Sequence, residues 1–152
     1  MARRITVSTV AGYPIVAPGL SVEQSLDLIR ERWAERLAIV WPDQPDLVVL
    51  PEHGDRPIWS LDPYQNIPIE MAAELTAAKG DTMVSFYGDL AREHRTHIAY
   101  SGYRIDAWGH LRNSTQIIGP EGTVLGIYDK VHLTIPEHHD RDVVPGAGMK
   151  VV

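Results

Sequence analysis

Two rhythms of apolar and polar positions organise the chain. Ile5-Thr6-Val7-Ser8-Thr9-Val10 alternates and is rich in β-branched residues, which predicts a first strand over residues 5–11. Gly12, Pro14, Pro18 and Gly19 then mark a loop. From Ser21 the period changes. Val22, Leu26, Ile29, Trp33 and Leu37 recur at helical spacing, while Arg30, Glu31, Arg32, Glu35 and Arg36 fall mainly on the other side. Ser21 and Gln24 have the spacing of a capping box, in which hydroxyl and amide satisfy free N–H groups at the helix start. Pro42 and Pro45 close this segment. The run Asp46-Leu47-Val48-Val49-Leu50 stops at Pro51, the pattern of a strand buried on both faces.

Residues 52–70 carry prolines at 57, 63 and 68 and predict an irregular loop, of a length that usually signals function. A second helix is predicted over Asp81–His94, with Met83, Tyr87, Leu90, Ala91 and His94 on one face. His97–Tyr103 reads as a strand and Trp108-Gly109 as a turn. Asn113–Ile118 and Val124–Asp129 read as a hairpin around Gly119-Pro120-Glu121-Gly122. Residues 130–148 are again irregular. The order β-α-β-α-β-β-β predicts the α/β class, a mixed β-sheet covered by helices. Met149-Lys150-Val151-Val152 has the look of another strand beginning, so residues 1–152 are expected to form a single partial domain.

The chain of 152 residues is 44% apolar and 22% charged, globular values that argue against disorder. A net charge of −6 without a Lys/Arg cluster makes nucleic acid and anionic membrane surfaces poor partners. No apolar run reaches bilayer-spanning length, and Arg3-Arg4 precede no apolar signal core, which suggests a cytoplasmic location. With no cysteine, this chain has no disulfide, thiolate metal site or cysteine nucleophile of its own.

Glu52 follows a buried strand, where catalytic and binding groups gather in open α/β sheets. It can serve as a general base or be a solvated loop carboxylate. Lys130 follows the strand ending at Asp129 in the same way. It can stabilise a developing oxyanion or be a surface lysine neighboured by Asp129. His132, His138, His139 and Asp140 offer enough donors for zinc, but their spacing matches no standard helical zinc motif; no metal is expected. His53, Trp59 and Tyr64 can line a pocket or pack against the domain.

These pieces together resemble the nitrilase, or carbon–nitrogen hydrolase, family over the family's first half. Asp46-Leu47-Val48-Val49-Leu50-Pro51-Glu52 resembles its first signature and Asn113–Gly122 its central hairpin. Tyr128-Asp129-Lys130-Val131-His132-Leu133 resembles its lysine signature, and Pro145-Gly146 the turn before its next strand. The resemblance implies the first half of an α-β-β-α sandwich of nitrilase type and a Glu-Lys-Cys triad. Glu52 matches the general base and Lys130 the lysine that holds the tetrahedral intermediate, while the cysteine belongs beyond Val152. Glu137 matches a second glutamate, with Asp140 as the alternative. His53, Trp59, Tyr64 and His132 fall on the substrate side. The implied function is hydrolysis of a small amide, nitrile or N-carbamoyl amine without a cofactor, in a homo-oligomer. The rival reading is a non-catalytic binding or assembly module of the same fold.

Overall fold

A computed structural model describes residues 4–58, 69–139 and 142–148. Strand β1 is Val7–Thr9, β2 is Ile15–Val16 and helix α1 is Val22–Ala38. The Ser21–Gln24 capping box forms in both directions. The five apolar positions of the helical stripe, Val22, Leu26, Ile29, Trp33 and Leu37, are all buried. Each such side chain contributes roughly 1.5–3 kcal/mol of burial. A 3-10 turn at Trp41–Asp43 ends this segment, as Pro42 requires. Strand β3 is Leu47–Val49 and β4 is Pro57–Ile58. Helix α2 is Ile69–His94, β5 is His97–Ile105, β6 is Leu111–Ile118, β7 is Val124–Asp129 and helix α3 is Ile135–His139.

The main sheet has five strands in the order β1-β3-β5-β6-β7. β1, β3 and β5 are parallel, and the β5–β6–β7 meander is antiparallel. β7 therefore runs in the direction of β3, and the carboxyl ends of both lie at one edge. β2 and β4 form a separate parallel pair, Ile15 opposite Pro57 and Val16 opposite Ile58, which ties the segment after β3 to the segment after β1. The register sets Ser8, Val48, Ile98 and Ile118 side by side. Val48, Ile98 and Ile118 pack in the core with Ile29, Trp33 and Leu37 of α1 and Met83, Tyr87 and Ala91 of α2. The pleat sends alternate residues to the other face, where Leu47, Val49, Ser101, Thr115 and Ile117 are only half-buried. The apolar run ending at Leu50 is thus fully buried on its helix-facing side alone, because α1 and α2 cover a single face.

Helix α2 begins at Ile69, twelve residues before the position predicted from sequence, and the loop expected over 52–70 also contains β4. Gly80 disfavours a helix interior by about 1 kcal/mol relative to Ala, which makes Gly80-Asp81 read as a start. The helix-forming residues Met71-Ala72-Ala73-Glu74-Leu75 carry it further back, and Leu75 is buried. At the β6–β7 turn, Gly122 has φ +75, and a Cβ on Gly88 of α2 would lie 2.7 Å from the Gly122 carbonyl oxygen. Two glycines thus let helix and hairpin touch backbone to backbone.

Candidate active site

The turn after β3 carries the first candidate. Leu50 is buried, Pro51 follows, and Gly54 N donates to the Pro51 carbonyl at 3.2 Å. His53 adopts φ 56, a left-handed conformation that folds the chain back, and Arg56 N donates to its carbonyl at 3.0 Å. The core anchors this turn twice from below. Trp33 Nε1 donates to the Gly54 carbonyl at 2.9 Å, and the Tyr100 hydroxyl donates to the buried Asp55 carboxylate. Glu52 is left at the surface of a fastened turn, its side chain 52% exposed.

Lys130 leaves β7 with its N–H bonded to the Asn113 carbonyl at 2.8 Å. It therefore continues the ladder on the same face as Asn113 and Tyr103, which are register partners and lie opposite α1 and α2. Lys130 Nζ donates to Glu52 Oε1 at 2.7 Å and to Glu137 Oε2 at 3.0 Å. Asn113 Nδ2 donates to Glu52 Oε1 and to Glu137 Oε1, both at 2.6 Å. Glu137 Oε2 also accepts from Thr134 N at 2.8 Å and Thr134 Oγ1 at 2.9 Å. His53 Nε2 lies 3.8 Å from Glu52 Oε1 and from Glu137 Oε1, and the His53 ring packs on Tyr103 at 4.2 Å between centroids.

The charges follow from these bonds. The hydrogen bond from Lys130 holds Glu52 below the ordinary carboxylate range, against the desolvation that opposes it. Desolvation would raise Glu137, but donors from Thr134, Asn113 and Lys130 outweigh it and bring its pKa down to about 2. Desolvation likewise pulls on Lys130, and its two carboxylate partners more than reverse it, leaving the ammonium above its usual value. At neutral pH the cluster is two carboxylates around one ammonium. Glu137 accepts four hydrogen bonds and is saturated. Glu52 takes both of its donors on Oε1, and among the described residues no donor reaches its Oε2.

Glu52, Lys130, Glu137 and His53 thus come together. Glu52 and Lys130 stand at the same edge of the sheet, though not on neighbouring strands, since β5 and β6 lie between β3 and β7. Asp129 is not a local partner of Lys130. It points to the helix-facing side and pairs with Arg104 at 2.8 Å and Ser114 at 2.7 Å. His132 is outside the network. With His138, His139, Val131, Leu133 and Ile135 it lines a cleft of about 370 Å³ beside α3. Trp59, Tyr64 and Asp140 lie outside the described residues. Among the described residues, the group whose possible metal-ligand atoms come within 4.8 Å of one another is Glu52, His53 and Glu137, not the three histidines of the 132–139 segment. The Lys130 ammonium already bridges its two carboxylates. Sequence reasoning missed Asn113. It stands at the start of the predicted hairpin strand, and its pairing opposite Tyr103 is visible only in the structure.

Comparison with known proteins bears on the fold and the family. The family model for carbon–nitrogen hydrolase matches residues 11–152. No curated protein sequence matches. Among solved structures, an amidase from Nesterenkonia sp. is 21% identical with a TM-score of 0.62, covering 95% of this chain and 49% of that one. A carbon–nitrogen hydrolase from Helicobacter pylori G27 is 18% identical with a TM-score of 0.63, covering 93% and 44%. An N-terminal amidase is 18% identical with a TM-score of 0.67, covering 93% and 31%. The chain spans about half the length, or less, of these solved relatives. At such identities the structures establish the shared fold, and the family model, matched over nearly all of the chain, establishes that this chain belongs to the carbon–nitrogen hydrolase family.

Proposed function

We propose that this chain supplies the base and the anion-binding cation for hydrolysis of a non-peptide carbon–nitrogen bond in a small amide, nitrile or N-carbamoyl amine. The observation that carries the reading is the Glu52–Lys130–Glu137 cluster at the carboxyl edge of the sheet. The nucleophile is a cysteine outside these 152 residues, since the chain has none. A mutant of the amidase from Nesterenkonia sp. AN1 carries acrylamide in Michael addition at its active-site cysteine, which supports a nucleophilic cysteine in a protein of this fold.

For an amide, Glu52 takes the thiol proton and the thiolate attacks the carbonyl carbon, placing negative charge on oxygen. Lys130 stabilises that charge. Collapse expels the amine, which leaves with the proton Glu52 holds, and a thioester forms. Glu52 then deprotonates a water that attacks the thioester, releasing acid and thiol. Glu137 holds Lys130 in place throughout. We place the protein in the cytoplasm as a homo-oligomer. No helix among the described residues is long and apolar enough to cross a membrane.

A second reading, a non-catalytic binding or assembly module of the same fold, is favoured by the missing cysteine. The test joins this chain to a segment bearing a strand-end cysteine and measures ammonia release from small amides, nitriles and N-carbamoyl amines. The chain alone should show no turnover, and the joined protein should gain it. Glu52→Gln and Lys130→Ala should each abolish the gain with the thermal melt retained. Robust hydrolysis by the 152-residue chain, or a joined enzyme indifferent to both substitutions, defeats the reading.

A further inference from the structure

We propose that Asn113 is a positioning residue of this site, one buried amide that clamps Glu52 and Glu137 together and reserves the second oxygen of Glu52 for proton transfer. The inference rests on the reading of Glu52 as the base and adds to it the group that orients that base.

Asn113 is 4% exposed. A primary amide carries two N–H vectors on one nitrogen, and here each meets a different carboxylate, both at 2.6 Å. The contacted residues lie 61 and 24 positions away in sequence, so the amide ties the turn after β3 to helix α3. Its main-chain carbonyl accepts the Lys130 N–H at 2.8 Å. The ladder therefore fixes the clamp relative to the root of the lysine.

Three alternatives at this position show why an amide suits it. An alanine would leave two ionised carboxylates facing each other with Lys130 as their one shared donor. An aspartate has nearly the same shape but only accepts when ionised, and it would turn both contacts repulsive. A lysine or histidine could donate, but its charge state would change with pH. The amide's donors do not titrate, so they are present wherever the two carboxylates are ionised. Its contact with Glu52 also has direction. Asn113 and Lys130 both bond Oε1, which sets the carboxylate plane of an otherwise exposed side chain and leaves Oε2 directed away from the clamp. His53 Nε2, 3.3 Å from Asn113 Nδ2, closes the same side.

The test titrates the side-chain carboxyls directly in the 152-residue chain by carbon-detected NMR and needs no turnover. In Asn113→Ala the Glu52 midpoint should rise by about half a unit to one unit, through loss of a donor to the ionised form. Asn113→Ser, which keeps one donor, should fall between the wild type and Asn113→Ala. It also serves as the decisive variant should Asn113→Ala not fold. Asn113→Asp, by adding a like charge, should raise Glu52 most. Glu52 titrating as in the wild type in folded Asn113→Ala or Asn113→Ser overturns the inference, and so does a shift confined to Glu137. In the joined, active enzyme, Asn113→Ser should lower kcat more than it changes KM. The acid limb of kcat/KM should move upward with Glu52; a fall in kcat with an unmoved limb counts against positioning. An inactive wild-type enzyme would sink the hydrolase reading, whereas the carboxyl titration would still decide whether Asn113 orients Glu52.

Discussion

Glu137 carries the strongest pH dependence that the site places on folding. It is 3% exposed and accepts from Asn113, Lys130 and twice from Thr134. Its pKa falls from 4.5 to about 2 in the folded chain, which corresponds to about 3 kcal/mol of stability. The folded value lies below the unfolded one. The contribution is therefore fully present above pH 4.5, shrinks as the pH falls, and is gone once the pH passes below about 2. Glu137→Gln removes the ionisation. It also creates a conflict at neutral pH, because a glutamine has one accepting end. Whichever way the amide turns, its NH2 faces either the Asn113 donor or the donors from Thr134 and Lys130. A cost of about 2–3 kcal/mol at neutral pH follows from the lost charged acceptor. Urea unfolding of both proteins, repeated from about pH 7 down to about 2.5, measures the difference. Titrating groups common to both, such as Asp129, largely cancel in it. The wild-type advantage should stay level down to about pH 5 and then close steadily. An advantage constant across that range would refute the claim that the Thr134, Asn113 and Lys130 bonds act on an ionised carboxylate.

Trp33→Phe keeps most of the buried ring but removes the indole donor to the Gly54 carbonyl; it should cost about 1–2 kcal/mol and speed amide exchange at Gly54 and Arg56, and unchanged exchange would mean the core does not brace the Glu52 turn. Ser21→Ala breaks the capping box of α1 and should lower stability by about 1 kcal/mol, read from chemical denaturation. Gly88→Ala should destabilise by about 1–3 kcal/mol through overpacking against the Gly122 carbonyl, despite the better helix propensity of alanine; a neutral result would show that α2 and the hairpin do not approach so closely.

The α1 stripe was legible residue by residue because a 3.6-residue period and a capping box report the same helix, and nothing in the tertiary structure competes with them. The β6–β7 hairpin was legible because Gly119 to Gly122 leave few other ways to turn. The start of α2 was not, since a single glycine mimics a boundary although helix-forming residues and the buried Leu75 precede it. β2 and β4 escaped because two-residue strands carry no period, and their pairing joins positions about forty residues apart. For the site, Glu52 and Lys130 could be placed at strand ends from sequence. Which groups hold them could not, because the Asn113 clamp depends on the meeting of a turn, a strand and a helix far apart in sequence. Asp129 illustrates the same limit. Adjacent in sequence to Lys130, it lies across the pleat and serves Arg104 instead.

The unequal treatment of the two glutamates gives the cluster a direction. In the resting state Lys130 divides its attraction between Glu52 and Glu137, so little of its charge is uncommitted. On the proposed reading, the first chemical event puts a proton on Glu52. That step removes one of the two counter-charges at the moment when the attacked carbonyl oxygen becomes negative. The ammonium loses a carboxylate partner and gains an oxyanion, and its neighbourhood stays nearly neutral. Glu137 cannot play the first part. Four donors hold it ionised, with a pKa of about 2, so it remains the fixed anchor while Glu52 exchanges protons. On that reading, two glutamates identical in chemistry have separate tasks, set by the number of donors each accepts. Asn113 belongs to both sets, and through its main chain it also fixes the strand that carries Lys130.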